Sequence, residues 1–124
     1  MTEAGRFWWL PFGEVPEISP TDLAERLGLA DAPQIVDVRT RAEWKASRIE
    51  GALNAPITSL KSELEGLGLD PAKPVVAICL SAHRSIPAVR VLRAAGFEDV
   101  CQLQGGMGAW WIAGLPVVKG ESDG

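Results

Sequence analysis

The chain has 124 residues, a formal net charge of −4, and 47% hydrophobic and 23% charged residues. This length is typical of one domain that buries a core of its own. The acidic balance argues against nucleic-acid binding, and no apolar run approaches the ~20 residues of a membrane span. We therefore expect a cytoplasmic globular protein with no nucleic-acid and no membrane partner.

Differences in composition divide the chain into three parts. Residues 1–13 form an aromatic-rich N-terminal extension, residues 14–119 a single domain, and residues 120–124 a polar C-terminal tail. Two interpretations of the extension stay open. It is either an arm that packs its aromatic side chains onto the domain or a contact surface for a partner or a second copy.

Strand and helix patterns alternate along the domain. Short apolar runs predict strands, whereas caps followed by one-sided apolar stripes predict helices. The predicted strands are 15–18, 34–38, a short one within 48–56, 75–78 and 99–103. The predicted helices are 19–28, 40–46, 59–67, 85–95 and 106–113. This alternation predicts an α/β fold with a mainly parallel sheet and helices on both faces.

Cys79 comes directly after the apolar run Val75–Ile78 and is followed by a short loop and a helix start at Ser85. In open α/β sheets, ligands bind in the crevice outside the carboxyl ends of the strands. Residues 71–97 contain no Asp or Glu but include Arg84. A nearby guanidinium and a helix N-terminus favour a thiolate, so Cys79 is predicted to be a nucleophile rather than inert core filler.

We predict structural rather than catalytic roles for the other side chains that could react. His83, the single histidine, is either a general base for Cys79 or an exposed loop residue, and we favour the second because no third group orients it. Cys101 is predicted to pack in the core, and parallel strands would hold it too far from Cys79 for a disulfide. Asp37 and Arg39 either form a catalytic acid pair with another site or brace the loops at the carboxyl edge of the sheet through hydrogen bonds and ion pairs, and we favour the second.

Four segments, in order, resemble the rhodanese-like domain family over roughly residues 14–118. The segments are Ile35-Val36-Asp37-Val38-Arg39 with Glu43-Trp44, the stretch 48–56, the loop 79–85, and Leu103-Gln104-Gly105-Gly106 with Trp110. The resemblance implies a three-layer α/β/α fold around a central five-stranded, mainly parallel sheet.

The resemblance also implies a sulfurtransferase that moves a sulfane sulfur through a cysteine persulfide. The donor is a small anion such as thiosulfate or a persulfide, and the acceptor is a thiol, cyanide or a sulfur-accepting protein. No cofactor or metal is needed, because the cysteine carries the sulfur. The implied site consists of the nucleophile Cys79, the substrate-binding residues Leu80, Ser81, Ala82, His83, Arg84 and Ser85, and the supporting residues Asp37, Arg39 and Arg48.

Three positions depart from the family pattern. Arg48 stands where the family often has histidine, which affects no catalytic step. Ala82 stands where many active sulfurtransferases have glycine, and alanine is strained at a positive φ. Leu80 stands where an arginine is common, so we expect an apolar pocket mouth that disfavours thiosulfate and favours a persulfide donor.

Two alternative functions remain at this point. A non-catalytic module would use the same fold for binding, although the intact cysteine argues against it. Phosphatases and arsenate reductases of the related fold place five residues between cysteine and arginine, to cradle a tetrahedral oxyanion. Here four residues separate Cys79 from Arg84, which suits the smaller loop of sulfur transfer.

Overall fold

Within the part of the chain that the structure describes, five strands form one sheet that is flanked by helices. The structure is a computed structural model, and it describes residues 16–80 and 85–120. The predicted extension 1–13 and the tail residues 121–124 lie outside the described residues. The strands are β1 Glu17–Ile18, β2 Gln34–Asp37, β3 Leu53–Asn54, β4 Val75–Ile78 and β5 Val100–Leu103. The helices are α1 Pro20–Leu27, α2 Arg41–Ala46, α3 Leu60–Glu63, α4 Ser85–Ala94 and α5 Gly106–Ile112.

The strand order is β1-β5-β4-β2-β3, and each adjacent pair runs parallel. The central strand β4 pairs with β2 on one side and with β5 on the other. Val76 of β4 lies opposite Ile35 and Cys101. The predicted α/β architecture is therefore confirmed, and in this sheet the pairing is wholly parallel. An antiparallel bridge between Arg48 and Val118 lies outside the sheet.

Both faces of the sheet are buried, which explains why β4 is a continuous apolar run rather than an alternating one. Val75 and Ala77 belong to the core on the face covered by α3 and α4. Val76 and Ile78 belong to the core on the opposite face, beneath α1 and α5. Leu92 of α4 is fully buried, and its truncation to alanine would cost about 2–5 kcal/mol.

Local capping signals correctly predicted where the first two helices begin. The Ser19 hydroxyl accepts a hydrogen bond from the Asp22 amide at 3.2 Å, ahead of Pro20 in the first turn of α1. At α2, the Thr40 hydroxyl accepts from the Glu43 amide at 3.2 Å, and the Glu43 carboxylate accepts from the Thr40 amide at 2.9 Å. These bonds satisfy amides that have no partner within the helix.

The predicted continuous helix over 59–67 is wrong. The structure has α3 and then a separate 3-10 helix, Leu64–Leu67. Gly66 lies within that stretch and weakens helical structure, and Gly68 ends it at φ 73°. The Ser59 hydroxyl contacts the Glu63 carboxylate at 2.6 Å instead of capping the helix. Among the described helices, none is long and apolar enough to cross a membrane.

Candidate active site

Cys79 lies one residue beyond the end of β4, at the carboxyl edge of the sheet. Its side chain is buried, at 1% exposure, in the core on the α3 and α4 face. The next residue, Leu80, is 38% exposed. The predicted loop residues Ser81, Ala82, His83 and Arg84 lie outside the described residues, and Ser85 is the first residue of α4. The structure thus places the predicted nucleophile at the sheet edge, and the described residues resume at the start of α4.

Main-chain hydrogen bonds hold the end of β4 on two sides. The Val38 amide donates to the Ile78 carbonyl at 2.9 Å, which extends the pairing with β2 by one residue. On the other side, the Met107 amide donates to the Cys79 carbonyl at 2.8 Å, and the Gly108 amide donates to the Leu80 carbonyl at 3.0 Å. The first turn of α5 therefore holds the backbone of Cys79 and Leu80 in place.

Gly106, which directly precedes these amides, permits the close approach. Gly106 has a φ of 62°, and a Cβ atom there would lie 2.4 Å from the Cys79 carbonyl oxygen and 2.6 Å from the Leu80 carbonyl carbon. An L-residue with a side chain is strained at this φ, and its Cβ would force the Cys79 and Leu80 main chain to shift. The glycine is visible in the sequence, but its contact with Cys79 is not, because it depends on how α5 packs against β4.

Asp37 and Arg39 form a buried ion pair. Arg39 Nη2 lies 2.7 Å from Asp37 Oδ2, and Arg39 Nε donates to Asp37 Oδ1 at 2.9 Å. Val36 and Val38 face the same core as Cys79, so side-chain alternation directs Asp37 to the other face of the sheet. Arg39 also donates to the Ser47 carbonyl at 2.7 Å. The pair thus connects β2 to the end of α2 and lies on the opposite face from the Cys79 side chain.

Asn54 and Trp111, which lie outside the predicted site, extend the hydrogen bonds around this ion pair. The Asn54 side-chain amide donates to the carbonyls of Asp37 and Arg39, both at 3.0 Å, and fixes β3 to the end of β2. Trp111 of α5 donates through Nε1 to the Ser47 hydroxyl at 2.9 Å. Contacts therefore run from the ion pair through Ser47 to α5. Nothing in the local sequence around Asn54 or Ser47 indicates these tertiary partners.

Arg48 is buried at 2% exposure and lies against α2 and the C-terminal segment. Its guanidinium carbon stands 4.1 Å from the centre of the Trp44 ring, and Nη1 donates to the Gly120 carbonyl at 2.8 Å. Its main chain pairs with Val118. These contacts fasten the segment after α5 to the domain, and the role of Arg48 in supporting the cysteine site stays a prediction.

Cys101 lies within β5 in the core beneath α1 and α5. Burial, with a smaller contribution from the Asp99 carboxylate, raises the pKa of its thiol far above the ordinary range. Cys79 lies three residues beyond Val76, the register partner of Cys101, which is about 10 Å along a strand. The two thiols also face opposite sides of the sheet, so the geometry supports the prediction that no disulfide joins them. In residues 16–80 and 85–120, no three Cys, His, Asp or Glu side chains are grouped to hold a metal ion.

A sequence profile of the rhodanese-like domain matches residues 19–113. The chain belongs to the rhodanese-like domain family, as the four sequence segments implied. The match covers most of the chain, and the matched residues include Cys79 at the edge of the sheet.

Similar proteins include a sulfurtransferase from Allochromatium vinosum, 35% identical over 86% of this chain and 98% of that protein. An HTH-type transcriptional regulator from Mycobacterium tuberculosis is 40% identical, covering 86% of this chain and 49% of the regulator. The chain spans about half the length of this regulator and of an uncharacterized Synechocystis protein that it also matches. The solution structure of a homodimeric polysulfide-sulfur transferase from Wolinella succinogenes superposes with a TM-score of 0.71 at 33% identity, covering 83% of this chain and 77% of that one. The relatives of this family member therefore include sulfurtransferases.

Proposed function

We propose that this protein is a rhodanese-type thiosulfate or persulfide sulfurtransferase in which Cys79 carries the sulfur. The Cys79 thiolate attacks the outer sulfur of thiosulfate, the S–S bond of the donor breaks, and sulfite leaves with its electron pair. Cys79 is then a persulfide anion. An acceptor thiolate or cyanide attacks the terminal sulfur, leaves as a persulfide or thiocyanate, and restores the Cys79 thiolate. Atoms and charges balance in both steps without a cofactor.

One observation carries this proposal: the cysteine of a rhodanese-like chain stands immediately past the central strand of a parallel sheet. The carboxyl edge of such a sheet is where α/β proteins bind ligands. The following residues lead into α4 and contribute no acidic side chain, so an anionic donor and a persulfide anion meet no like charge from them. We assign donor binding to residues 80–85 and support of the surrounding loops to Asp37, Arg39 and Arg48.

The donor is proposed to be a persulfide or polysulfide in preference to thiosulfate. Leu80 is 38% exposed directly after Cys79, where it offers apolar surface rather than a positive charge. A doubly charged donor gains less from such a surface than a donor with an organic or polysulfide tail. The polysulfide-sulfur transferase of W. succinogenes is a relative with a donor of this class in its name.

Intact mass spectrometry tests the proposal directly. Wild-type protein incubated with thiosulfate or inorganic polysulfide should gain the mass of one sulfur atom, and the gain should reverse on addition of cyanide. Cys79→Ser should gain none, whereas the matched variant Cys101→Ala should gain as much as the wild type. Absence of the gain in the wild type, or an equal gain in Cys79→Ser, would refute the proposed function.

The relationship with the M. tuberculosis HTH-type regulator favours a second candidate, a rhodanese-like domain that binds a partner without turning over sulfur. In that case, the protein would not keep forming thiocyanate when both sulfur donor and cyanide are in excess. A phosphatase or arsenate reductase is less favoured, because four residues separate Cys79 from Arg84. Hydrolysis of p-nitrophenyl phosphate that is lost in Cys79→Ser would support that reading instead.

A further inference from the structure

We propose that Gly106 is the positioning residue for Cys79: it lets the first turn of α5 hold the cysteine's backbone in place. The consequence for catalysis rests on the proposed function, whereas the contact itself does not. Gly106 belongs to a different element, far downstream of Cys79 in the chain, and it takes no part in the sulfur chemistry written above.

The contact is built from two hydrogen bonds and one close approach. The amides of Met107 and Gly108 donate to the carbonyls of Cys79 and Leu80, at 2.8 and 3.0 Å. Both amides belong to the first turn of α5, where they have no partner within the helix. They reach the carbonyls because Gly106 brings its Cα against the same two residues, closely enough that a Cβ would fall 2.4 Å from the Cys79 oxygen.

α5 is itself held at its other contacts, so it can act as a rigid support. Trp110 is 2% exposed, and its Nε1 donates to the Pro116 carbonyl at 2.9 Å. Met107 is fully buried in the core beneath α1 and α5, and Trp111 donates to the Ser47 hydroxyl. A substitution at Gly106 therefore places a Cβ directly against the main chain of Cys79 and Leu80.

Gly105 supplies a matched control for the test. It also has a positive φ, 74°, and a Cβ there would lie 2.6 Å from a neighbour, but the neighbour is the Ala109 side chain of α5 itself. Gly105→Ala and Gly106→Ala thus share backbone strain and steric overlap. They differ in whether the overlap falls on the residue that carries the thiol.

The first measurement is the rate at which Cys79 gains sulfur from inorganic polysulfide, followed by intact mass below the melting temperature of each variant. Gly106→Ala should load about 100-fold more slowly than the wild type, since a displacement of about 1 Å can cost this factor. Gly105→Ala should load at the wild-type rate despite a similar loss of melting temperature. Equal rates in the two variants, whether both slow or both normal, would overturn the assignment of Gly106 as the positioning residue.

The second measurement is amide hydrogen exchange by NMR, which needs neither sulfur transfer nor a folded variant. In the wild type, the Met107 and Gly108 amides should exchange as slowly as the Ala113 amide, which donates to Ala109 within α5 at 3.0 Å. If they exchange as fast as unbonded amides, the inference fails whatever the sulfur result. If they are protected but the wild type gains no sulfur, the proposed function fails and the contact stands.

Discussion

Cys79 follows β4 and Cys101 lies in the neighbouring strand β5, and both are almost fully buried, at 1% exposure for Cys79 and 0% for Cys101. Cys101 stands inside β5, surrounded by apolar side chains, and burial raises the pKa of its thiol. Cys79 stands past the end of β4, where its main chain is held by the first turn of α5. The two cysteines are therefore equally buried but differ in position. Cys101 lies within the core, whereas Cys79 lies at the edge where α/β sheets bind ligands.

The interior of the sheet and its carboxyl edge differ in polarity as well. No ion pair lies in the core around Cys101, as far as the described residues show, and its members are aliphatic, Met or Trp side chains. At the carboxyl edge of the sheet, the end of β2 carries the Asp37–Arg39 pair on the face opposite the Cys79 side chain, and Asn54 and Ser47 extend it by hydrogen bonds. Burial by itself thus does not distinguish the two thiols, whereas their positions relative to the strand ends do.

The largest expected effect separates the two cysteines by activity. Thiocyanate formation from a sulfur donor and cyanide should vanish in Cys79→Ser and persist in Cys101→Ala. Cys101→Ala should instead lower the free energy of unfolding by about 1 kcal/mol, a typical cost of a core truncation. Colorimetric thiocyanate assays and urea unfolding measure the two quantities. Loss of activity in Cys101→Ala with its stability intact would contradict the contrast drawn between the two cysteines.

The next effect concerns the Asp37–Arg39 ion pair at the carboxyl edge of the sheet, on the face opposite the Cys79 side chain. Arg39→Ala should lower the free energy of unfolding by about 3–5 kcal/mol, because it leaves the buried Asp37 carboxylate uncompensated. Arg39→Lys should cost less, since it keeps the charge but loses the bidentate geometry. Arg41→Ala, at an exposed position of α2, is the control. A loss in Arg39→Ala no larger than in this control would show that the pair does not brace the sheet edge.

A smaller effect follows from the raised pKa of Cys101. In the unfolded chain a cysteine loses its proton near pH 8.5, at about its ordinary pKa, whereas in the folded protein Cys101 stays protonated. The folded state therefore binds more protons above that pH. Its stability, fully present below it, should fall by up to about 1.4 kcal/mol per pH unit as the pH rises. Urea unfolding of the wild type from pH 8 to 10 (an interval we choose around about pH 8.5) measures the slope.

The control for this pH dependence is Cys101→Ala, which removes the titrating group. Its stability should fall less steeply over the same interval. Parallel slopes in the wild type and the variant would mean that Cys101 titrates alike in the folded and unfolded states, and would remove this part of the contrast with Cys79.

The smallest effect concerns donor preference at the exposed residue after Cys79. Leu80→Arg places a positive charge beside the thiol and should raise the rate of sulfur loading from thiosulfate about tenfold at low ionic strength, with a weaker gain in salt. Leu80→Gln removes the apolar surface without adding charge and should leave the rate near that of the wild type. Equal rates in the two variants would show that charge at this position does not select the donor.

The departure at Ala82 yields a companion test within the loop. The family resemblance places a glycine where this chain has Ala82, and glycine takes a positive φ without strain, so Ala82→Gly is expected to raise the rate of sulfur transfer by a few-fold, about the factor that 1 kcal/mol supplies. The measurement is the same thiocyanate assay. An unchanged or lower rate would count against the idea that Ala82 weakens catalysis.

The sequence by itself determined the features that depend on local pattern. Apolar runs alternating with capped helices predicted the α/β fold, because the hydrophobic periodicity of a strand or a helix depends only on residues close together in the sequence. The capping residues Ser19 and Thr40 predicted where α1 and α2 begin. The position of Cys79 at a strand end followed in the same way, from the apolar run before it.

The tertiary structure alone decided what depends on distant segments meeting. Asp37 faces away from the Cys79 side chain, which requires the sheet register to be known. The support of Cys79 by Gly106 depends on α5 packing beside β4, and no spacing in the sequence encodes a contact between elements so far apart along the chain.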